Sequence, residues 1–316
     1  MEAASTTTAG PGPGLNRRRT PRSVGETAIK VTLAVAAVIS IATTTGIVIA
    51  LLRDTLKFFG EVGVGEYLFG TTWSPLAGGG QQSFGVVPLV YDTLYLTAIG
   101  LLIAVPFGLG SAIYLSEYAS LRARRLLKPA LEVLAGIPTI VFGFFALTFV
   151  GPEVLGSILR IDVGTFSALS AGLVLGILVL PTIATVADDA LTAVPGSLRE
   201  GAFGLGASRM QVATRVVFPA ALSGIVAALV LGASRAIGET VIILVAGGAV
   251  ANLTGDPREP MQNMAAFIAQ TAQADIPTQG TEYNTIFVVG TTLFVITLVL
   301  NLISIRFVRK YRQVYE

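Results

Sequence analysis

The residues of this chain with the most distinctive chemistry are Ser234, Arg235, Glu239 and Thr240, because they interrupt an apolar run from about 219 to 249. An arginine near the middle of a membrane-crossing segment costs about 2.5–3.5 kcal/mol on insertion scales, so a chain rarely keeps one without a use. Its guanidinium stays charged at every relevant pH, and its planar fork donates paired hydrogen bonds of the kind a tetrahedral oxyanion accepts. Glu239 follows at the i, i+4 spacing of a single helical face. Two readings result. Either the two charges line an anion path, or they form a structural ion pair in which each relieves the other's desolvation. Two leucines would serve a purely structural span better, which favours the path.

A second set lies just upstream: Glu200-Gly201-Ala202-Phe203-Gly204-Leu205-Gly206-Ala207, Arg209, and then Val216-Val217-Phe218-Pro219. From Leu198 through Ala202, Leu205, Val212 and Val216 the apolar residues recur at near-helical steps, while Arg199, Glu200, Arg209, Gln211 and Arg215 are polar. Gly204 and Gly206 weaken a helix in its middle, so the segment is expected to form two short helices with a bend between them. A bent knob of this kind suits a partner's groove. A helix lying flat on the membrane surface is the alternative.

The elements that must carry these residues follow from composition. Of 316 residues 53% are apolar and 13% charged, which is too apolar for a water-soluble domain. The chain is read as an all-α, polytopic membrane protein. A hydrocarbon core of about 30 Å takes about 20 apolar residues of helix. Six transmembrane helices are expected, over 29–52, 86–115, 131–150, 166–187, 219–249 and 285–307, with the polar loop at 188–218. Residues 1–28, rich in Ser, Thr, Gly, Pro and Arg, are expected to be a disordered arm, and 29–316 the transmembrane domain. The first apolar run lacks a small-residue cleavage site and reads as a retained span.

Cysteine and histidine are absent, which excludes disulfides, thiol nucleophiles, Ser-His triads and Cys/His zinc sites; no metal or cofactor is expected on this chain. Lys30, Lys57, Lys128 and Lys310 all follow residues other than glycine, so there is no G-K-[ST] phosphate loop and the chain is not itself a P-loop ATPase. Arg17, Arg18, Arg19, Arg22, Lys30, Arg122, Arg124, Arg125, Lys128, Arg199, Arg209, Arg215, Arg306, Arg309, Lys310 and Arg312 fall on one side of the six spans. Only Arg53, Lys57, Arg160 and Arg258 fall on the other, which puts both termini and the 188–218 loop in the cytoplasm. This asymmetry accounts for the net charge of +2 without any nucleic acid. Of the outer loops, 53–85 carries Trp73 near Tyr67, Phe69 and Phe84, the composition of an outer-leaflet anchor; 250–284 is polar enough to receive a soluble partner.

The loop reads E-x-A-x-x-x-G, nine residues, an apolar pair and a proline, and resembles the cytoplasmic loop of ABC-importer permeases, E-A-A-x-x-x-G-x(9)-I-x-L-P. Gly201 and Phe218 depart from that pattern. From about residue 55 onward the chain is similar to the PstC-type permeases of bacterial phosphate-specific ABC importers. The likeness rests on Glu66-Tyr67-Leu68-Phe69-Gly70-Thr71-Thr72-Trp73-Ser74-Pro75, Ala112-Ile113-Tyr114-Leu115-Ser116-Glu117-Tyr118-Ala119, Leu134-Ala135-Gly136-Ile137-Pro138 and Arg235-Ala236-Ile237-Gly238-Glu239-Thr240.

The resemblance implies the ABC-importer permease fold, with a coupling loop carrying Glu200, Ala202, Gly206, Ala207, Arg209 and Pro219, and a phosphate path carrying Arg235, Glu239, Ser234 and Thr240. It implies residence in the bacterial cytoplasmic membrane, ATP hydrolysis by a separate subunit, and four kinds of company: a PstA-like second permease, two copies of a PstB-like ATPase, a PstS-like extracytoplasmic phosphate-binding protein and the lipid bilayer. Arg235 and Glu239 sum to zero while phosphate carries between one and two negative charges, so the second permease must bring further cations. Glu239 can accept the proton of hydrogen phosphate, which sulfate lacks. Sulfate or molybdate is the alternative cargo. The alternative classes are a membrane signalling or receptor subunit and a secondary transporter, the latter expected to show internal repeats that this sequence lacks. Asp92 stands near the outer end of the second span, where a small or neutral residue is expected, and the resemblance gives it no role.

The orientation is testable because the chain has no cysteine. Ser83→Cys and Thr278→Cys are expected to react with an impermeant maleimide from outside, and Ser120→Cys and Ser197→Cys to stay unlabelled. The reverse pattern overturns the topology.

Overall fold

The structure is a computed structural model that describes residues 21–78, 80–277 and 280–311. Residues 1–20, Thr278 and Arg312, on which parts of the sequence reading rest, lie outside the described residues. The contacts divide the chain into residues 1–50 and residues 51–316.

Helix α1 runs from Pro21 to Glu61. Proline is pre-organised for the first turn of a helix, and once nucleated the helix extends cheaply, so residues 21–28 are helical where the composition predicted disorder. Within the first unit, Ile29, Leu33, Val38 and Ile41 leave an apolar surface exposed. In the second unit the chain continues through α2 (Val64–Phe69) and a two-stranded hairpin of β1 (Trp73–Ser74) and β2 (Ser83–Phe84), in which Trp73 pairs with Phe84. The backbones of Gly70 and Gly85 meet at the base of this hairpin so closely that a Cβ on Gly85 would lie 2.2 Å from the carbonyl carbon of Gly70. No other residue fits there.

Next come α3 (Val87–Ile113), closed by a π-helical turn over Tyr114–Tyr118, and α4 (Leu121–Ala135). Then follow α5 (Thr139–Phe145), continued as π-helix over Ala146–Ile158, and α6 (Ala168–Thr192). Helix α7 (Gly196–Gly204), α8 (Arg209–Gln211), a π-helical turn over Val212–Val217 and α9 (Phe218–Ala220) make the loop, and α10 (Leu222–Ile237) follows. A π-helical turn over Ile243–Gly247, α11 (Met264–Gln273) and α12 (Thr281–Tyr311) complete the chain. Among the described residues five helices are long and apolar enough to cross a membrane. A sixth crossing is reached if Arg209–Ala220 and Leu222–Ile237, bent by 73° to each other, count as one.

Two expected spans are therefore drawn differently. The third is Thr139–Ile158 and not 131–150, because Gly136 and Pro138 end the amphipathic α4 before the apolar run begins. The fifth, expected over 219–249, stops at Ile237.

Helices α3 and α6 hold the centre of the second unit through small residues. A Cβ on Gly176 would lie 2.7 Å from the carbonyl oxygen of Gly100, and one on Gly172 would lie 2.6 Å from Ile99 Cγ2. Lipid is as apolar as leucine, so association within a bilayer depends on such close backbone approach and packing, not on exclusion of water. Ile183 of α6 occupies the space opposite Gly232 of α10, which brings the third helix into the same core.

Gly176→Ala is expected to force these backbones apart and lower the melting temperature of the detergent-purified protein, at a cost of about 1–3 kcal/mol for overpacking. Gly110→Ala meets nothing within 4 Å and is expected to be neutral or slightly stabilising. Equal melting temperatures for the two variants would contradict this account of the core.

Candidate functional site

Where α10 ends, Gly238, Glu239 and Thr240 leave the helix and a new helical stretch starts at Val241. Breaking a helix at membrane depth frees backbone donors and acceptors that hydrocarbon cannot satisfy. Two side chains meet that need. Glu239, 8% exposed, turns its Oε1 to accept from the N–H groups of Val241 (3.1 Å) and Ile242 (3.3 Å). Asn263 donates its Nδ2–H to the carbonyl oxygen of Glu239 at 2.7 Å, and its Oδ1 caps α11 at the N–H of Ala266. Arg235, half-buried, donates from Nη1 to the hydroxyl of Thr182 on α6 at 3.1 Å.

This corrects the expectation that Arg235 and Glu239 share one helical face. The helix stops at Ile237, two residues short of Glu239, and among the described residues no ion pair joins the two. The carboxylate is held by backbone dipoles and the guanidinium by a hydroxyl, its one hydrogen-bond partner among the described residues. Thr240 is half-buried and donates to the carbonyl of Gly238 at 3.3 Å. Ser234 faces an apolar cavity of about 460 Å³ between α3, α10 and α12, lined by Leu101, Val105, Leu229 and Ile303 among others. Sequence reasoning missed Thr182 and Asn263. The only local pointer to Thr182 is the neighbouring Pro181, inside α6.

The loop has the bend that its glycines predicted. Gly206 takes φ +85° between α7 and α8, and Ser208 and Gln211 form a reciprocal capping box that starts α8. Ala202 and Ala207 turn inward toward a core with Val212, Val217 and Leu191, and Ala207 donates its N–H to the carbonyl of Ala202. Glu200, Arg209 and Pro219 are exposed, together with Phe203, Leu205 and Met210, and Leu205 is 91% exposed. Arg199 fixes the knob to the bundle: it donates to Glu117 at 2.9 Å and to the carbonyls of Leu191 (2.8 Å) and Val194 (2.6 Å). Nearby, Asp188 is fully buried and bridged by Arg124 (3.0 Å) and Lys128 (3.2 Å). Lys128 has its pKa raised above the usual lysine value by its hydrogen bond to Asp189 and by Asp188, against some desolvation.

Trp73 is not the outer-leaflet anchor its neighbours suggested. It is 8% exposed and packs edge-on to Tyr67 (6.4 Å) and Phe267 (5.0 Å), inside an aromatic core with Phe58 and Phe84. Asp92, left without a role, is fully buried and accepts from the N–H groups of Asn252 and Gln262, each at 3.1 Å.

Residues 104–313 match the family described as "Binding-protein-dependent transport system inner membrane component". The chain belongs to this family. Its permeases are non-catalytic membrane subunits of ABC importers, which work with a separate ATPase and a binding protein. Among curated relatives, the probable ABC transporter permease protein YqgH of Bacillus subtilis is 33% identical over 94% of both chains. The phosphate transport system permease protein PstC of Haemophilus influenzae is 33% identical over 82% of this chain and 84% of that one. PstC 1 of Mycobacterium tuberculosis is 35% identical over 72% and 73%. Among solved structures, a bacterial alginate ABC transporter aligns with TM-score 0.65 at 18% identity over 95% of this permease and 100% of that chain. The MetNI methionine transporter in an inward-facing conformation aligns with TM-score 0.54 at 22% identity over 72% and 95%. At such identities these two structures speak for the fold alone.

Because Gly206 is held in left-handed backbone, Gly206→Ala is expected to cost about 1–2 kcal/mol locally and to reduce copurification of the ATPase. Gly204→Ala, with open space around it, is expected to leave copurification unchanged. Equal copurification of both variants would count against the bend as the docking geometry.

Proposed function

We propose that this permease passes inorganic phosphate across the bacterial cytoplasmic membrane, with both termini and the 188–218 loop on the cytoplasmic side. The observation that carries the reading is Arg235: an intramembrane guanidinium beside a break in its span, engaged through one nitrogen by a neutral hydroxyl and by no carboxylate among the described residues. Phosphate-transport permeases among its relatives support the choice of anion. In this reading Arg235 gives the anion a bidentate donor while Thr182 and Thr240 supply hydroxyls; Ser234, expected beside them, faces the apolar cavity instead. Glu239 accepts a hydrogen bond from the protonated oxygen of hydrogen phosphate and sets a repulsion against sulfate, which has no such proton. Arg235 and Glu239, though not paired, sum to zero against the one to two negative charges of phosphate, so a PstA-like second permease contributes further cations. One of two PstB-like ATPases docks on the loop at Glu200, Ala202, Gly206, Ala207, Arg209 and Pro219, the other serves the second permease, and a PstS-like protein delivers phosphate from outside. No cofactor is required on this chain.

ATP-dependent phosphate uptake into proteoliposomes holding the whole complex, with sulfate and arsenate as competitors, tests this. Arg235→Ala is expected to abolish uptake in an assembled complex and Arg235→Lys to restore part of it, because lysine keeps the charge and loses the fork. Glu239→Gln keeps an oxygen to cap Val241 and Ile242 while dropping the charge, so uptake is expected to persist with weaker rejection of sulfate. Normal phosphate uptake in Arg235→Leu/Glu239→Leu would refute the path.

A further inference from the structure

Residues 248–263 fold back over the outer ends of α3 and α6 as a lobe. Gly248, at φ +115°, makes the turn that starts it, and a Cβ there would lie 2.6 Å from Pro260 Cβ. Helix α3 bolts the lobe down from one side with successive residues and turns. Tyr91 and Tyr95, stacked at 5.5 Å, donate to the carbonyls of Thr254 (2.8 Å) and Gly255 (2.9 Å). Thr93 accepts from the N–H of Met264, just past the lobe, at 3.0 Å. Asp92 gathers two separate points of the lobe, Asn252 and Gln262, onto its Oδ2, while its Oδ1 is buried with no hydrogen-bond partner. Helix α6 holds the other side, where Ala168 and Leu169 donate their N–H groups to the carbonyls of Glu259 (3.0 Å) and Pro257 (2.7 Å). Within the lobe, Arg258 holds the Asp256 carboxyl down to about 2, so that pair stays ionised at ordinary pH.

One side chain leads from this plate to the break in the fifth span. Asn263 lies between Gln262, held by Asp92, and Met264, held by Thr93, and its Nδ2 donates to the carbonyl oxygen of Glu239. All of Asp92, Thr93, Gln262, Asn263 and Met264 are buried, so water offers no competing partner.

We propose that Asp92 and Asn263 are positioning residues of a relay that ties the outer lobe to the Glu239 break, so that a soluble partner seated on the lobe acts on the anion path through Asn263. The proposal rests on the reading of that break as the path. It assigns the unexpected aspartate a purpose that neither the ion-pair pattern nor the loop motif contains. The partner presses on the lobe, Asp92 and Thr93 keep the 262–264 segment from yielding, and the displacement passes to the carbonyl of Glu239.

The test uses the full complex and its own soluble binding protein, loaded with inorganic phosphate or with sulfate, and reads ATP hydrolysis against binding-protein concentration. Asn263→Asp keeps the oxygen that caps α11 and replaces the donor to Glu239 by an acceptor. It is expected to lower the maximal stimulation about fivefold, the worth of one buried hydrogen bond, while the half-stimulating concentration stays the same. Asp92→Ala frees the N–H groups of Asn252 and Gln262 and is expected to show the same split; Asp92→Asn, whose amide oxygen still accepts both, restores stimulation. Normal maximal stimulation in Asn263→Asp, or loss in Asp92→Asn equal to that in Asp92→Ala, overturns the relay. If Asn263→Asp lowers the yield of complex, the Asp92 pair decides from the far end. Stimulation of the wild type by the sulfate-loaded protein alone removes the phosphate reading and leaves the relay tested.

Discussion

Everything distinctive about this permease depends on how it satisfies a broken backbone where no water is at hand. A continuous helix needs nothing from its neighbours, because each N–H finds its own carbonyl. At Gly238 that ladder stops, and the chain replaces it with Glu239 at the N–H groups of Val241 and Ile242 and with Asn263 at the carbonyl of Glu239. The replacements have a structural consequence for charge. With its carboxylate committed to the backbone, Glu239 does not neutralise Arg235, and the guanidinium is left with a hydroxyl partner on another helix.

How far the sequence could carry this is clear from the places where it stopped. The six apolar stretches and the bent loop were legible because their causes are local: a bilayer demands length, and glycines at 204 and 206 demand a bend. The Arg235–Glu239 face was misread because i, i+4 spacing presumes an unbroken helix, and nothing in the run from 219 to 249 announces where a break falls except a glycine, which spans also tolerate. The third span was set too early for the opposite reason. The alternation of Leu, Arg and Lys in 121–135 belongs to an amphipathic helix of its own, which ends at Gly136 and Pro138 before the apolar run begins.

Long-range partners were the least legible. Thr182 and Asn263 lie 53 and 24 residues from the groups they bind, and no periodicity links them. Trp73 read as a lipid anchor because tryptophan near aromatic residues is common at membrane interfaces; in the fold Trp73, Tyr67 and Phe84 turn inward and close a core with Phe58 and Phe267, and only Phe69 stays exposed among them. Asp92 drew notice only as a departure from expectation. Its burial against two backbone N–H groups accounts for why a charged residue is tolerated there, since a carboxylate with donors directed at one oxygen is less costly to bury than a bare one.

The cytoplasmic end is built on the same constraint with different means. Asp188 is buried among apolar residues and stays there because Arg124 and Lys128 reach it from α4; Arg199 returns from α7 to Glu117 and to the carbonyls that end α6. The knob is thus held to the ends of α3 and α6, the two helices that form the close-packed centre. Past the 73° bend, α10 runs for 16 residues, about 24 Å at the rise of an α-helix, and stops at the break beside Arg235. An α-helix without an internal break moves as a rod. Arg235 is therefore carried on the last turn of α10, while Glu239, past the break, is held by Asn263. The break thus puts the donor fork and the carboxylate on separate helical stretches with separate supports, Thr182 of α6 for the one and the N–H groups of Val241 and Ile242 for the other.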